Sequence, residues 1–234
     1  MKFLLTNDDG VQSPGLATLQ QSLSELGETV VVAPHEHLSG CSHRVSTHRP
    51  LQLTEVGDGW HAVDGTPADC TRLGLFHVAP DVDWVISGIN EGANLGVDVH
   101  MSGTVAAVRE AVLLGKPGIA FSQFQRNNGP MNWSLSETMV GRMVERLRKR
   151  PLKPGTFWNV NFPDVEDVSD VPKIIECPLE PNHLPLHYEI IDGRFHFCGI
   201  YHKRPRTPGT DVDICFSGHI SVTQVPAMSL DSVS

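Results

Sequence analysis

The chain opens on an apolar run, Phe3-Leu4-Leu5, that stops at Asn7-Asp8-Asp9-Gly10. A short run without polar interruption reads as a strand buried on both faces, and Gly10 marks the turn that ends it. Ser13-Pro14 then offers an N-cap followed by proline at the first helical position. Leu16, Leu19, Leu23 and Leu26 follow at spacings of three, four and three, which is one apolar stripe of a helix, and Gly27 is a natural stop. The β-branched run 29–33 (T-V-V-V-A) predicts the next buried strand. Strand, helix and strand within about 30 residues make the βαβ unit of a parallel sheet.

The alternation continues. Thr66-Pro67 starts a helix through Leu75, 83–87 (D-W-V-I-S) is a strand, and Ser102-Gly103-Thr104 opens a helix that runs to about Leu114 and is closed by Gly115. A further strand is expected at 117–122. Leu135, Met139, Met143 and Leu147, with Val140 and Val144 beside them, predict a long amphipathic helix. The run 157–161 (F-W-N-V-N) is expected to be the last strand of the core sheet. From about residue 162 the alternation stops and prolines become frequent. Asp192-Gly193, inside 189–197, signals a hairpin with a type I′ turn. The pattern predicts an α/β chain: a Rossmann-like, mostly parallel sheet with helices on both faces, plus a C-terminal antiparallel β-hairpin extension.

Composition narrows the function classes. The 234 residues carry 18 Lys plus Arg against 27 Asp plus Glu, a formal charge of −9. That balance argues against a nucleic acid polymer as partner, which normally needs a basic face. It leaves room for a small anionic substrate, because a bound cation can set the local sign. No apolar run approaches the roughly 20 residues of a membrane span, so no membrane partner is expected. The N-terminal run is too short for a signal peptide and meets Asp8 and Asp9 at once. The five cysteines (Cys41, Cys70, Cys177, Cys198, Cys215) include no C-x-x-C pair, which suits reduced thiols in the cytoplasm.

Four clusters fall where strands end or helices begin. They are Asn7-Asp8-Asp9-Gly10, the segment 34–40 (P-H-E-H-L-S-G), the segment 87–96 (S-G-I-N-E-G-A-N-L-G) and Ser102-Gly103-Thr104. In an open parallel sheet, ligands bind beyond the carboxyl ends of the strands. Adjacent carboxylates there repel unless a cation sits beside them. Asp8, Asp9, Ser39 and Asn90 supply two carboxylates, a hydroxyl and an amide oxygen, a set that suits one hard divalent ion such as magnesium or manganese. Ser102-Gly103-Thr104 offers hydroxyls and backbone N–H groups at a helix N-terminus, an anion cradle. Each cluster alone has an ordinary reading as an Asx-turn, a loop tip or a helix cap. Together they point to hydrolysis of a phosphate ester beside a metal ion.

The ordered motifs "LLTNDDG", "SPG", "VVAPHEHLSG", "GTPADC", "SGINEGANLG", "SGTVAAVRE" and "PGTDVD" resemble the survival protein E (SurE) family of 5′-nucleotidases over about residues 1–225. The resemblance implies a metal-dependent phosphatase acting on nucleoside 5′-monophosphates, with 3′-nucleotides and short polyphosphate as further candidates. It implies a single domain over 1–234, with a core at 1–161 and the hairpin extension at 162–225 used in oligomerisation to a homodimer or homotetramer. It places the metal ligands on Asp8, Asp9, Ser39 and Asn90, the catalytic role on Asp8 and Asp9, and the phosphate contacts on Asn94, Ser102, Gly103 and Thr104. Where the family commonly has an aromatic residue before Ser-Gly-Thr, this chain has Met101, and His35, Glu36 and His37 stand where basic residues are common. His43 and His100 are only nearby in sequence, and no general acid is identifiable. Two other functions remain on the table: a nucleotide-binding protein without turnover, and a receiver-like phosphorylation switch. The latter needs an Asp and a Lys where this chain has Ser87 and Ser122.

Overall fold

The computed structural model describes residues 1–127, 129–165 and 172–228. β1 (Lys2–Thr6), α1 (Pro14–Leu23) and β2 (Glu28–Pro34) form the first βαβ unit, with β2 parallel to β1. β3 (Leu53–Gly57) and β4 (Trp60–Val63) follow as an antiparallel pair, β4 lying parallel on β2. Next come α2 (Pro67–Leu73), which runs into a π-helical turn (Gly74–Val78), then β5 (Trp84–Glu91), α3 (Gly103–Leu113), β6 (Gly118–Gln123), α4 (Ser134–Leu147) and β7 (Thr156–Phe162). The chain continues through β8 (Ile174–Glu176), the β9–β10 hairpin (Tyr188–Ile191, Arg194–Phe197), α5 (Asp211–Phe216) and β11 (Ile220–Pro226). Nine of these strands form one sheet, in the order β3-β4-β2-β1-β5-β6-β7-β11-β8, and the hairpin stands apart as a second, two-stranded sheet.

The first strand explains the layering. Phe3 and Leu5 are fully buried on one face, against Leu16, Leu19 and Leu23 of α1 and the Met139, Met143 and Leu147 stripe of α4. Leu4 points to the other face, among Val32, Val63, Cys70 of α2 and Ala111 of α3. Successive side chains of a strand alternate faces, so an unbroken apolar run requires cover on both sides. Burying each such side chain stabilises the fold by about 1.5–3 kcal/mol. The α/β reading with helices on both faces therefore holds, and so does the hairpin: Asp192 and Gly193 both take positive φ (50° and 73°), as a type I′ turn requires.

One expectation is corrected. The sheet does not end at 157–161. β11 pairs antiparallel with β7 from Ser221↔Asn161 to Pro226↔Thr156, and β8 pairs parallel with β11. The segment after residue 162 thus closes one edge of the core sheet as well as forming the hairpin. No helix among the described residues is long and apolar enough to cross a membrane.

Candidate active site

After β1 the chain steps to β2 on one side, and later to β5 on the other side of β1. The reversal opens a crevice beyond the carboxyl ends of β1 and β5, where ligands of such sheets bind. Asp8 and Asp9 follow β1 directly, and Asn90 sits at the end of β5. A bulge sets Asn90: pairing with β6 shifts between Ser87↔Ala120 and Asn90↔Ser122, placing three residues of β5 against two of β6. Gly88 makes the bulge feasible. Its φ is +135°, and a Cβ there would stand 2.3 Å from the Phe121 carbonyl oxygen.

Asp8 is almost fully buried at the N-terminus of α3. Its Oδ2 accepts the Gly103 N–H at 3.1 Å, and its Oδ1 accepts the Thr104 hydroxyl. The Thr104 oxygen also lies 3.2 Å from Asn90 Oδ1, which gathers Asp8, Thr104 and Asn90 into one oxygen cluster. The Asn90 amide nitrogen donates to the Gly92 carbonyl at 2.6 Å, leaving the amide oxygen turned toward that cluster. Gly103 permits the approach, since a Cβ would come within 2.8 Å of Asp8 Cβ and 3.0 Å of Cys41 Sγ. Burial raises the proton affinity of Asp8, while the hydrogen bonds from Thr104 and Gly103 pull it back.

Asp9 faces the same edge. Its Oδ2 accepts the Glu91 N–H at 3.1 Å, and His37 Nδ1 is 3.5 Å from Oδ1. Burial, then the neighbouring Asp8 charge, push its carboxyl up to about 6. The loop after β2 touches the site through Leu38, whose N–H donates to the Asp8 carbonyl at 2.8 Å. Ser39 follows it on that loop, exposed. Two neighbouring carboxylates with raised proton affinity, an oriented amide oxygen and a serine on the adjacent loop are all hard oxygen donors. The donor chemistry fits one magnesium or manganese ion. Among the described residues no three His, Cys, Asp or Glu side chains converge, so such an ion would draw on the amide and hydroxyl oxygens as well.

The remaining sequence-predicted residues lie alongside. Ser102 caps α3 by accepting the Val105 N–H at 3.1 Å, which leaves its own O–H free to donate. Gly103 and Thr104 direct their donors at Asp8 in this state. Asn94 is buried, and its amide donates to the Ser122 hydroxyl at 2.8 Å. Sequence reasoning missed what holds Asn94: Asn161 Oδ1 accepts its N–H at 2.8 Å, and the Asn159 and Asn161 amides donate to its carbonyl at 2.9 and 3.1 Å. The signal was present as two asparagines alternating inside the apolar run 157–161, which is costly unless they are hydrogen-bonded.

The model of the family described as Survival protein SurE matches residues 3–178. The chain belongs to the SurE family. A Nostoc sp. relative that carries the name 5′-nucleotidase provisionally is 45% identical over 226 residues, covering 96% of this chain and 99% of its own. The "5′-nucleotidase SurE" of Citrifermentans bemidjiense is 39% identical over 230 residues, covering 95% of this chain and 92% of its own. The crystal structure of the SurE protein from Aquifex aeolicus superposes with a TM-score of 0.86 at 32% identity, covering 99% of this chain and 95% of that one. The SurE model spans every strand end that contributes to the crevice and stops short of the C-terminal segment that packs beside Asn94.

Proposed function

We propose that this SurE-family chain is a divalent-metal-dependent phosphatase that hydrolyses nucleoside 5′-monophosphates to nucleoside and inorganic phosphate. The observation that carries the reading is the seating of the Asp8 carboxylate on the α3 N-terminus within one oxygen cluster with Thr104 and Asn90. The names of its curated relatives support the substrate class. 3′-Nucleotides and short polyphosphate are further candidate substrates.

Asp8, Asp9, Ser39 and Asn90 would hold one magnesium or manganese ion per subunit. Bound there, the ion supplies Lewis-acid neutralisation of phosphoryl charge and a lowered pKa for water. The protein does the rest. Ser102 donates its free O–H to a phosphate oxygen, Asn94 faces a second, and the α3 N-terminus with Gly103 and Thr104 keeps the local field positive. Asp8 cannot swing away, because Thr104 and Gly103 grip both its oxygens. It orients the attacking water and accepts its proton. Water adds its oxygen to phosphorus, the P–O bond to the nucleoside breaks, the departing oxygen takes a proton from solvent so that the nucleoside leaves as an alcohol, and Asp8 returns its proton to solvent. Fixed donors of this kind typically contribute a large share of the rate.

Five free cysteines support a reducing cytoplasm as the place of work. The β9–β10 hairpin supports self-association to a homodimer or homotetramer: Ile190 and Phe195 are 66% and 72% exposed, and an isolated hairpin is marginal in water.

The test is phosphate release from AMP by purified protein with manganese, and again after chelation. Release that survives chelation would remove the metal from the mechanism. No release from any nucleotide would leave a binding protein without turnover.

A further inference from the structure

The segment 93–102 carries Asn94 near one end and Ser102 at the other, so its shape fixes the spacing between the two proposed phosphate contacts. Its β7 side is the asparagine pair described above. Its other side is held by residues about 100 positions later. Arg204 Nη2 donates to the Leu95 carbonyl at 3.0 Å, and Nη1 donates to Asp98 Oδ2 at 2.7 Å. The Tyr201 hydroxyl donates to the same Asp98 oxygen at 2.5 Å, and that oxygen also accepts the Leu95 N–H at 3.1 Å. Asp211 Oδ2 accepts the Gly96 N–H at 2.7 Å, and its Oδ1 accepts the Glu180 N–H at 2.8 Å. The Arg204 side chain has no solvent exposure, and its guanidinium lies 4.9 Å from the Tyr201 ring centroid.

A buried arginine–aspartate pair is weak support for stability, since desolvation offsets most of its attraction. Its geometry is another matter. A guanidinium offers a rigid planar fork, and here the fork spans a backbone carbonyl and a carboxylate on the same loop. Its contacts converge on 95–98.

We propose that Arg204, with Tyr201 and Asp98, forms a positioning unit that holds the 93–102 loop so that Asn94 and Ser102 meet the phosphate at a preset spacing. The proposal rests on the phosphatase reading for the role of those two residues. Arg204 touches no reacting atom and acts through the loop alone. All three members of the unit could be changed without touching the metal-side residues Asp8, Asp9 and Asn90.

The test uses the full chain loaded with manganese, as Arg204→Lys and Tyr201→Phe. Lysine keeps the charge and loses the fork; phenylalanine keeps the ring and loses the hydroxyl. For Arg204→Lys, the KM for AMP and the inhibition constant for inorganic phosphate should rise together by roughly tenfold or more, as expected for a misplaced contact. Tyr201→Phe should move both in the same direction by a smaller factor, with a melting temperature near wild type. The manganese concentration for half-activation should not change in either. If KM and phosphate inhibition stay at wild-type values in both variants, or activity falls only in proportion to lost folded protein, the proposal is overturned. Should Arg204→Lys fail to fold, Tyr201→Phe decides. Calorimetric binding of inorganic phosphate reads the clamp independently of turnover. A wild type that binds phosphate but releases none from AMP would therefore remove the enzyme reading while leaving the clamp to be judged by the variants' affinities.

Discussion

Asp9 should be a residue whose removal destroys activity and strengthens the fold. Its side chain is only 8% exposed, and burial with the adjacent Asp8 charge pushes its carboxyl from the ordinary value of 3.8 to about 6. The folded chain thus holds this proton to a higher pH than the unfolded chain does. Between about pH 4 and pH 6 the folded state binds more protons, so stability falls as pH rises through that window, and the full cost is present above it. At about 1.4 kcal/mol per unit, keeping Asp9 charged costs about 3 kcal/mol at pH 7.5. Asp9→Asn keeps an oxygen for the Glu91 N–H and removes the charge. In chelated buffer at pH 7.5 it should gain about 1–3 kcal/mol, or about 2–10 °C in melting temperature for a chain of this size. That advantage should shrink toward zero near pH 4, and AMP hydrolysis with manganese should be lost. Manganese should raise the melting temperature of wild type and leave the variant unmoved. The assay is thermal unfolding at both pH values, with and without metal. A variant less stable than wild type in chelated buffer at pH 7.5, or an advantage equal at both pH values, would refute the reasoning.

Three further outcomes are expected. Gly103→Ala places a methyl 2.8 Å from Asp8 Cβ and 2.9 Å from its Oδ2, so AMP hydrolysis should fall by about a hundredfold or more while far-UV circular dichroism stays native. Gly88→Ala meets the Phe121 carbonyl oxygen at 2.3 Å with φ at +135°, and should destabilise by more than about 2 kcal/mol in urea unfolding. Replacing Ile190 and Phe195 together by lysine should lower the mass measured by light scattering on a sizing column, with the melting temperature little changed, because both side chains are exposed in the hairpin.

What was legible in the sequence follows from the physics of each element. β1, β2 and β6 are short apolar runs buried on both faces, and α1 and α4 carry unbroken leucine and methionine stripes, so period and burial agree. β3 was missed because its residues 54–57 are exposed, which leaves no alternation to detect. β11 was not read as a core strand because Ile220-Ser221-Val222-Thr223 alternates apolar and polar, the pattern of a half-buried strand, whereas Ser221 and Thr223 are themselves buried in the sheet. At the site, Asp8, Asp9, Asn90, Ser102 and Thr104 could be placed because each follows a strand end or opens a helix. Their mutual contacts could not: the Thr104 hydroxyl reaches Asp8 across 96 positions, and no periodicity reports such a pairing. Arg204 was invisible for the same reason, and Asp211, though part of the quoted motif "PGTDVD", gave no sign of its partner, since their partners on 95–98 lie more than 100 positions earlier.

The Asp211–Gly96 contact also sets an order of events during synthesis. The acidic pair that would grip the metal leaves the ribosome about 200 residues ahead of Asp211, yet the loop bearing Asn94 gains its last tether only when Asp211 has emerged, and the sheet gains β11 later still. A nascent chain stalled before that point carries the chemistry without its spacing. Catalytic competence should therefore arrive abruptly, once Asp211 and β11 have both emerged.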